Sequence, residues 1–143
     1  MMNLFGVMEM SGSAMGAQRV RAEVVAANLA NAETTRTPSG GPYRRKEVVF
    51  GRTGPDFRYE LAQHSASVSG VKVRAVVEDP SPPIVRYQPG HPDANADGYV
   101  SYPNVNPVTE LVDLMSASRS YESNAAAVNA AKQMIVQSLD ILR

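Results

Sequence analysis

Cysteine is absent from this 143-residue chain. That excludes a disulfide framework, a thiolate nucleophile and a Cys-ligated zinc, and it leaves the compartment open. Tryptophan is also absent and phenylalanine occurs three times, a thin supply of large side chains for the walls of a buried catalytic pocket. No run of 18 apolar residues exists, so no segment reads as inserting into a membrane. The start, Met1-Met2-Asn3-Leu4-Phe5, lacks the basic residues, apolar stretch and small-residue cleavage site of a secretory signal. An excess of either charge is missing too, with 14 basic and 14 acidic side chains. Nucleic acid is therefore not an expected partner, because phosphate binding draws on surplus Lys and Arg. Zero net charge favours self-association instead.

Proline is missing from both ends. All ten prolines lie from Pro38 to Pro107, so a helix-compatible block at each end flanks a middle punctuated by Pro and Gly. The expected division is a first helical region at 1–37, a β- and loop-rich insertion at 38–106, and a closing helix at 107–143.

The closing block carries the strongest pattern. Alternating steps of three and four give Leu111, Leu114, Ser118, Tyr121, Ala125, Val128, Lys132, Ile135, Leu139 and Leu142, eight of ten apolar or aromatic. The register through Val108, Val112 and Met115 scores five of ten, so the first is read as a coiled-coil seam. Asn106 suits the N-cap, Pro107 the first helical position, and neither Gly nor Pro follows. Ser118 and Lys132 interrupt the seam; such residues set register, or, for Lys, run the ammonium out to solvent. One apolar stripe cannot be its own core, so this helix needs a partner.

The first block offers one. Leu4, Met8, Ser11, Met15, Gln18, Ala22, Val25 and Leu29 place six apolar residues in eight along one helical face. Gly6, Gly12 and Gly16 each cost the helix about 1 kcal/mol relative to Ala. Either they permit close approach and a helix that depends on packing, or a loop precedes a helix starting near Ser13. The expected fold is mainly α, with the terminal helices paired as an antiparallel coiled-coil hairpin around a small β-rich, loop-rich insertion.

In the middle, Val48-Val49-Phe50 reads as a short strand, and Phe57-Arg58-Tyr59-Glu60-Leu61, Val71 to Val76 and Ile84 to Tyr87 read as three short strands of a small β subdomain. Residues 36–58 hold six basic and two acidic side chains, whereas 78–113 hold six acidic ones against Arg86. These patches either meet between neighbouring copies or pair within the chain.

Chemistry-bearing motifs are few. Asp93-Ala94-Asn95-Ala96-Asp97-Gly98 opens like a calcium loop, with oxygen ligands at positions 1, 3 and 5 and Gly at 6. Position 12 is Asn104 rather than Glu, and prolines replace the flanking helices. A small calcium module is thus the alternative function, set against a plain Asx-rich turn. His64 and His91 have no nucleophile or elbow beside them, so neither an enzyme nor a cofactor is expected.

Ser11-Gly12-Ser13-Ala14-Met15-Gly16-Ala17-Gln18-Arg19 with Ala27-Asn28-Leu29-Ala30-Asn31-Ala32 resembles the N-terminal signature of bacterial flagellar axial proteins. Thr34 to Thr37, Gly40 to Arg45, Pro89 to Ala94, Gly98 to Val100, Tyr102 to Asn106 and Ala117 to Asn124 resemble the proximal-rod members of that rod and hook family. Only about Gly51 to Val77 is generic. The resemblance implies a structural subunit of the flagellar basal body. Its terminal helices would form the inner coiled-coil layer of a helical tube that transmits torque and passes export substrates. It implies export through the flagellar type III apparatus and assembly in the periplasm. The implied partners are further copies, other rod proteins and the rod-base adaptor protein. The expected assembly interface is Leu4, Met8, Met15, Val25, Leu29, Leu111, Leu114, Tyr121, Val128, Ile135, Leu139 and Leu142. The family-motif positions are Asn28, Asn31, Gly41, Pro42, Tyr43, Arg44, Arg45, His91, Tyr99 and Asn104.

Overall fold

The computed structural model describes residues 4–53 and 69–141. The expected strand at 57–61, His64 and Leu142 lie outside the described residues. Two helices dominate, α1 (Leu4–Ala30) and α2 (Pro107–Ile141). At ~1.5 Å per residue α2 is about 52 Å long. Its start follows the sequence signal: Asn106 Oδ1 accepts the Val108 N–H at 3.0 Å, and Pro107, which has no N–H to leave unpaired, opens the first turn.

α1 runs unbroken through Gly6, Gly12 and Gly16, so no loop precedes Ser13. Gly6 is buried, but nothing lies within 4 Å of where a Cβ on Gly12 or Gly16 would sit. Close approach inside the chain does not explain those two glycines. The helix holds together because its protected face packs on α2.

That packing corrects the expected seam. On α1 the buried positions are Gly6, Ser11, Ala17, Val25 and Asn28. On α2, Glu110, Ala117 and Ala131 are buried, with Asp113, Ser120, Asn124 and Ala127 half-buried between them. This row also alternates steps of three and four, but it lies one residue N-terminal of the Leu111–Leu139 row. The Leu111 row is rotated to the flank: Leu114, Ala125, Val128 and Ile135 are half-buried, while Leu111, Ser118, Tyr121, Lys132 and Leu139 are exposed. The physical reason is size. The contact with α1 is filled by small side chains, Gly6, Ser11 and Ala17 against Ala117 and Ala131, and the larger residues of α2 are left on its flank and outer face. A count of large apolar residues cannot register such a seam.

Among the described residues four strands accompany the helices: β1 (Lys46–Thr53), β2 (Gly70–Glu78), β3 (Ile84–Tyr87) and β4 (Tyr99–Tyr102). They form two separate antiparallel pairs, β1–β2 and β3–β4, rather than one β subdomain. The first pair shifts register between Val49 and Phe50, leaving Arg74 as the extra residue of a bulge. It lies on α1, where Ser13 Oγ accepts the Val71 N–H at 3.0 Å and donates to the Met10 carbonyl at 2.7 Å. Gly70 makes this approach possible, since a Cβ there would stand 2.5 Å from Ser13 Oγ.

β4 was not legible as a strand. Its inward Val100 and Tyr102, with Pro103 and Val105, make a second small core. The turn into it depends on Gly98, which has φ +80° and packs where a Cβ would lie 2.9 Å from Tyr87 Cε2 and 3.1 Å from Pro89 Cβ. Gly98→Ala therefore combines a left-handed backbone cost with a clash, about 2–4 kcal/mol together. Urea unfolding should show a lower midpoint with an unchanged slope; an unchanged midpoint would contradict this account of the turn.

Candidate functional site

Three of the motif positions, Asn28, Tyr43 and Arg45, meet at one buried junction with Glu110, a residue the sequence did not single out. Asn28, from the last turns of α1, and Glu110, from the first turn of α2, are 1% and 0% exposed. Asn28 Nδ2 donates to Glu110 Oε2 at 3.0 Å and to the Lys46 carbonyl at 2.8 Å. Asn28 Oδ1 accepts the Lys46 N–H at 2.9 Å and the Tyr43 hydroxyl at 3.0 Å. Every hydrogen-bonding atom of that amide group is engaged. Arg45 Nε donates to Glu110 Oε1 at 2.6 Å, and its guanidinium also reaches Glu47 and, at 3.9 Å, Asp113. Arg21 pairs with Asp113 at 2.8 Å. Partial burial opposes the Arg45 charge, but the hydrogen bonds and charges of Glu110 and Glu47 outweigh it and hold its pKa above the usual arginine value.

These pairs join part of the basic patch to part of the acidic one. Arg45 meets Glu110 and Asp113, and Arg36 meets Asp93 at 3.9 Å, all within one chain. Pairing is intramolecular for those residues. Reversing the charges of Arg44, Arg45 and Lys46 together would therefore break the fold and is no probe of assembly. Arg44 is exposed.

The Tyr43 hydroxyl is held above its ordinary pKa of 10.0, first by burial and then by the Glu110 and Glu78 charges. Raised in the folded state, it binds its proton more tightly there. Its contribution is complete below pH 10 and fades as pH rises through the folded value. Tyr43→Phe should cost about 1 kcal/mol at neutral pH through the lost bond to Asn28. It should also flatten the decline of stability above pH 10. Urea melts across that range read both effects, and an unchanged alkaline slope would contradict the assignment.

The other motif positions shape the surrounding loops. Asn31 closes α1 by donating from Nδ2 to the Ala27 carbonyl and accepting the Thr34 hydroxyl. Gly40 and Gly41 both have positive φ and bring the chain back through Pro42 to Tyr43. Pro42, Arg44 and Asn104 line a shallow groove with Asp79 and Pro83. His91 accepts the Asp93 N–H at Nδ1 and lies edge-on to Tyr102. Tyr99 is exposed and stacks edge-on with Tyr87 at 5.3 Å.

In the calcium-like loop, Asn95 Oδ1 accepts the Asp97 and Tyr99 N–H groups, and Asp93 accepts the Thr35 hydroxyl at 2.8 Å. The oxygens a cation would need at positions 1 and 3 are thus engaged by the protein itself. Among the described residues no three His, Asp or Glu side chains come together as a metal site, and no helix is long and apolar enough to cross a membrane.

The remaining feature is the outer surface of the helices. Of the expected interface residues, Val25 is buried, and Leu4, Met8, Met15, Leu29, Leu114, Val128 and Ile135 are half-buried. Leu111, Tyr121 and Leu139 are exposed. The structure adds Val108, Val112 and Met115, which are 69%, 60% and 55% exposed, and Phe5 at 72%. The first three form the lower-scoring helical register, so the signal was present and ranked second.

The sequence is similar to that of known proteins along nearly its whole length. A family model described as flagella basal body rod protein matches residues 8–36, and one described as flagellar basal body rod FlgEFG protein C-terminal matches 96–141. The chain is 47% identical to the flagellar basal-body rod protein FlgC of Bacillus subtilis, over 98% of this chain and 99% of that protein. It is 43% identical to that of Salmonella typhimurium over 98% of both, and 38% to that of Borreliella burgdorferi over 99% of both. With its paired terminal helices and small antiparallel insertion, the chain belongs to the FlgC family of flagellar basal-body rod proteins, and its role is structural.

Proposed function

We propose that this chain polymerises with further copies and other rod proteins into the helical tube of the flagellar proximal rod. In that tube it transmits torque and leaves a lumen through which export substrates pass. The proposal includes delivery through the type III export apparatus, a periplasmic position and contact with a rod-base adaptor protein. One observation carries it: large apolar side chains stand exposed along both ends of α2 while small ones fill the contact with α1. A protein that functions alone has no use for Val108, Val112, Met115, Val136 and Leu139 on its surface. Packed apolar seams also resist shear where isolated surface ion pairs contribute little.

In this reading α1 and α2 are an antiparallel coiled-coil hairpin. Supporting it, Asn28 meets Glu110 and Arg21 meets Asp113, while Gln18 and Ala22 line one groove with Ala117 and Tyr121. The tube wall is assigned to 1–37 and 107–143, and residues 38–106 brace it. Leu139→Glu tests the reading, since Leu139 is 63% exposed in the isolated chain. Incorporation into isolated basal bodies should fall about tenfold, matching roughly 1.4 kcal/mol of lost burial, with the melting temperature of the purified chain unchanged. Undiminished incorporation would remove this face from the interface.

A further inference from the structure

Apart from the Asn28–Glu110 junction and the Arg21–Asp113 pair beside it, the contact between α1 and α2 is poor in features that fix how far one helix slides along the other. Its buried residues are Gly6, Ser11, Ala17 and Val25 against Ala117 and Ala131. Small side chains make shallow knobs, and each buried methyl contributes only about 0.8 kcal/mol wherever it lands. The inner row of α2 also repeats at seven residues as Glu110, Ala117, Asn124 and Ala131. Sliding α2 by one heptad, about 10 Å, keeps a row of small or polar side chains against α1 but exchanges Ala117 for Glu110 or Asn124.

What does not survive the slide is the polar junction. Glu110 is 0% exposed and bonds Asn28 through Oε2 and Arg45 through Oε1. Asn28 is simultaneously held by Tyr43 and by both backbone groups of Lys46. One axial position of α2 satisfies all of these groups. One heptad away, Ala117 would face Asn28, leaving a buried amide hydrogen and the Arg45 guanidinium without their partner, at roughly 1–3 kcal/mol for each such group.

We infer that Asn28 and Glu110 are positioning residues that set the axial register of the helix pair. The small-residue seam supplies adhesion, and the junction selects the alignment, a known use of buried polar residues in helix pairs. The inference concerns the isolated chain and stands independently of the rod reading.

The lack of cysteine makes the test clean, because two introduced cysteines at Glu23 and Glu122, both exposed, carry the only spin labels. Pulsed electron–electron distance measurement on the otherwise unaltered full chain should give one narrow distance. Glu110→Gln, which keeps the shape and the Asn28 acceptor, should keep that distance. Glu110→Leu and Glu110→Asp, which cannot span Asn28 and Arg45 together, should add a second population displaced by up to about 10 Å. A single native distance in helical Glu110→Leu protein overturns the inference. If Glu110→Leu yields no helical protein, Glu110→Asp decides: a second distance supports register selection, and one native distance shows that the junction only adds stability.

Discussion

Arg45→Ala lowers folding stability by about 3–5 kcal/mol, while the neighbouring Arg44→Ala moves it by no more than about 0.5 kcal/mol. The difference lies in what each removal leaves behind. Glu110 is fully buried, and Arg45 is the cation that bonds its Oε1 at 2.6 Å. Without Arg45 the carboxylate keeps the Asn28 amide but has no buried countercharge. Domains of this size are stable by only about 5–15 kcal/mol in total, so the loss is a large share. Arg45→Lys recovers little of it, because one ammonium cannot serve Glu110, Glu47 and Asp113 as the planar fork does. Urea unfolding at neutral pH makes the comparison. High salt should not erase the difference, since the Glu110 end of the pair is shielded from solvent. A loss under about 1 kcal/mol for Arg45→Ala would mean that water or another cation reaches Glu110, and the junction would lose its assigned weight.

How much of this was legible beforehand depends on the element. Helix ends were readable because they follow local chemistry: Asn106 and Pro107 announce α2, and Asn31 closes α1 by bonding its own last turn. Strands β1, β2 and β3 were readable from runs of Val, Ile and Phe, but β4, with Ser101 between its tyrosines and Val100, was hidden behind the turn at Gly98. The inner helix seam was misplaced by one residue because periodicity counts reward Leu and Val, while the chain puts Ala and Ser inward. The junction was legible only as motif. Nothing in the spacing of Asn28, Tyr43, Arg45 and Glu110 says that they meet, because their contacts span up to 82 residues of sequence. Glu110 in particular reads as an ordinary first-turn acid favoured by the helix dipole, and only tertiary packing reveals that it is the most buried charge among the described residues. Likewise, the basic and acidic stretches were visible, but composition cannot tell a partner in the same chain from one in the next.

The outward residues of α2 carry the second large effect. Val108, Leu111, Val112 and Met115 stand at steps of three and four on one face of the first turns, between 47% and 69% exposed. Full burial of such a side chain is worth about 1.5–3 kcal/mol; with about half of each surface still to be covered, three of them supply roughly 3 kcal/mol to any subunit that packs there. The triple change Leu111→Glu, Val112→Glu and Met115→Glu removes that gain and adds carboxylates that an apolar contact would have to desolvate. Incorporation into basal bodies should therefore fall by at least about 100–1,000-fold, at 1.4 kcal/mol per factor of ten, and motility should be lost with it. The isolated chain should keep its helix content, because none of the three faces the α1 contact, and its urea midpoint should shift little. This pairing of results separates assembly from folding. Arg45→Ala should fail in the melt before it fails in the rod, whereas the triple variant should pass the melt and fail in the rod. If the triple variant assembles normally, the exposed face near Asn106 is not a subunit contact. The interface would then have to be sought on the Met134, Val136 and Leu139 end of the same helix, which is also exposed.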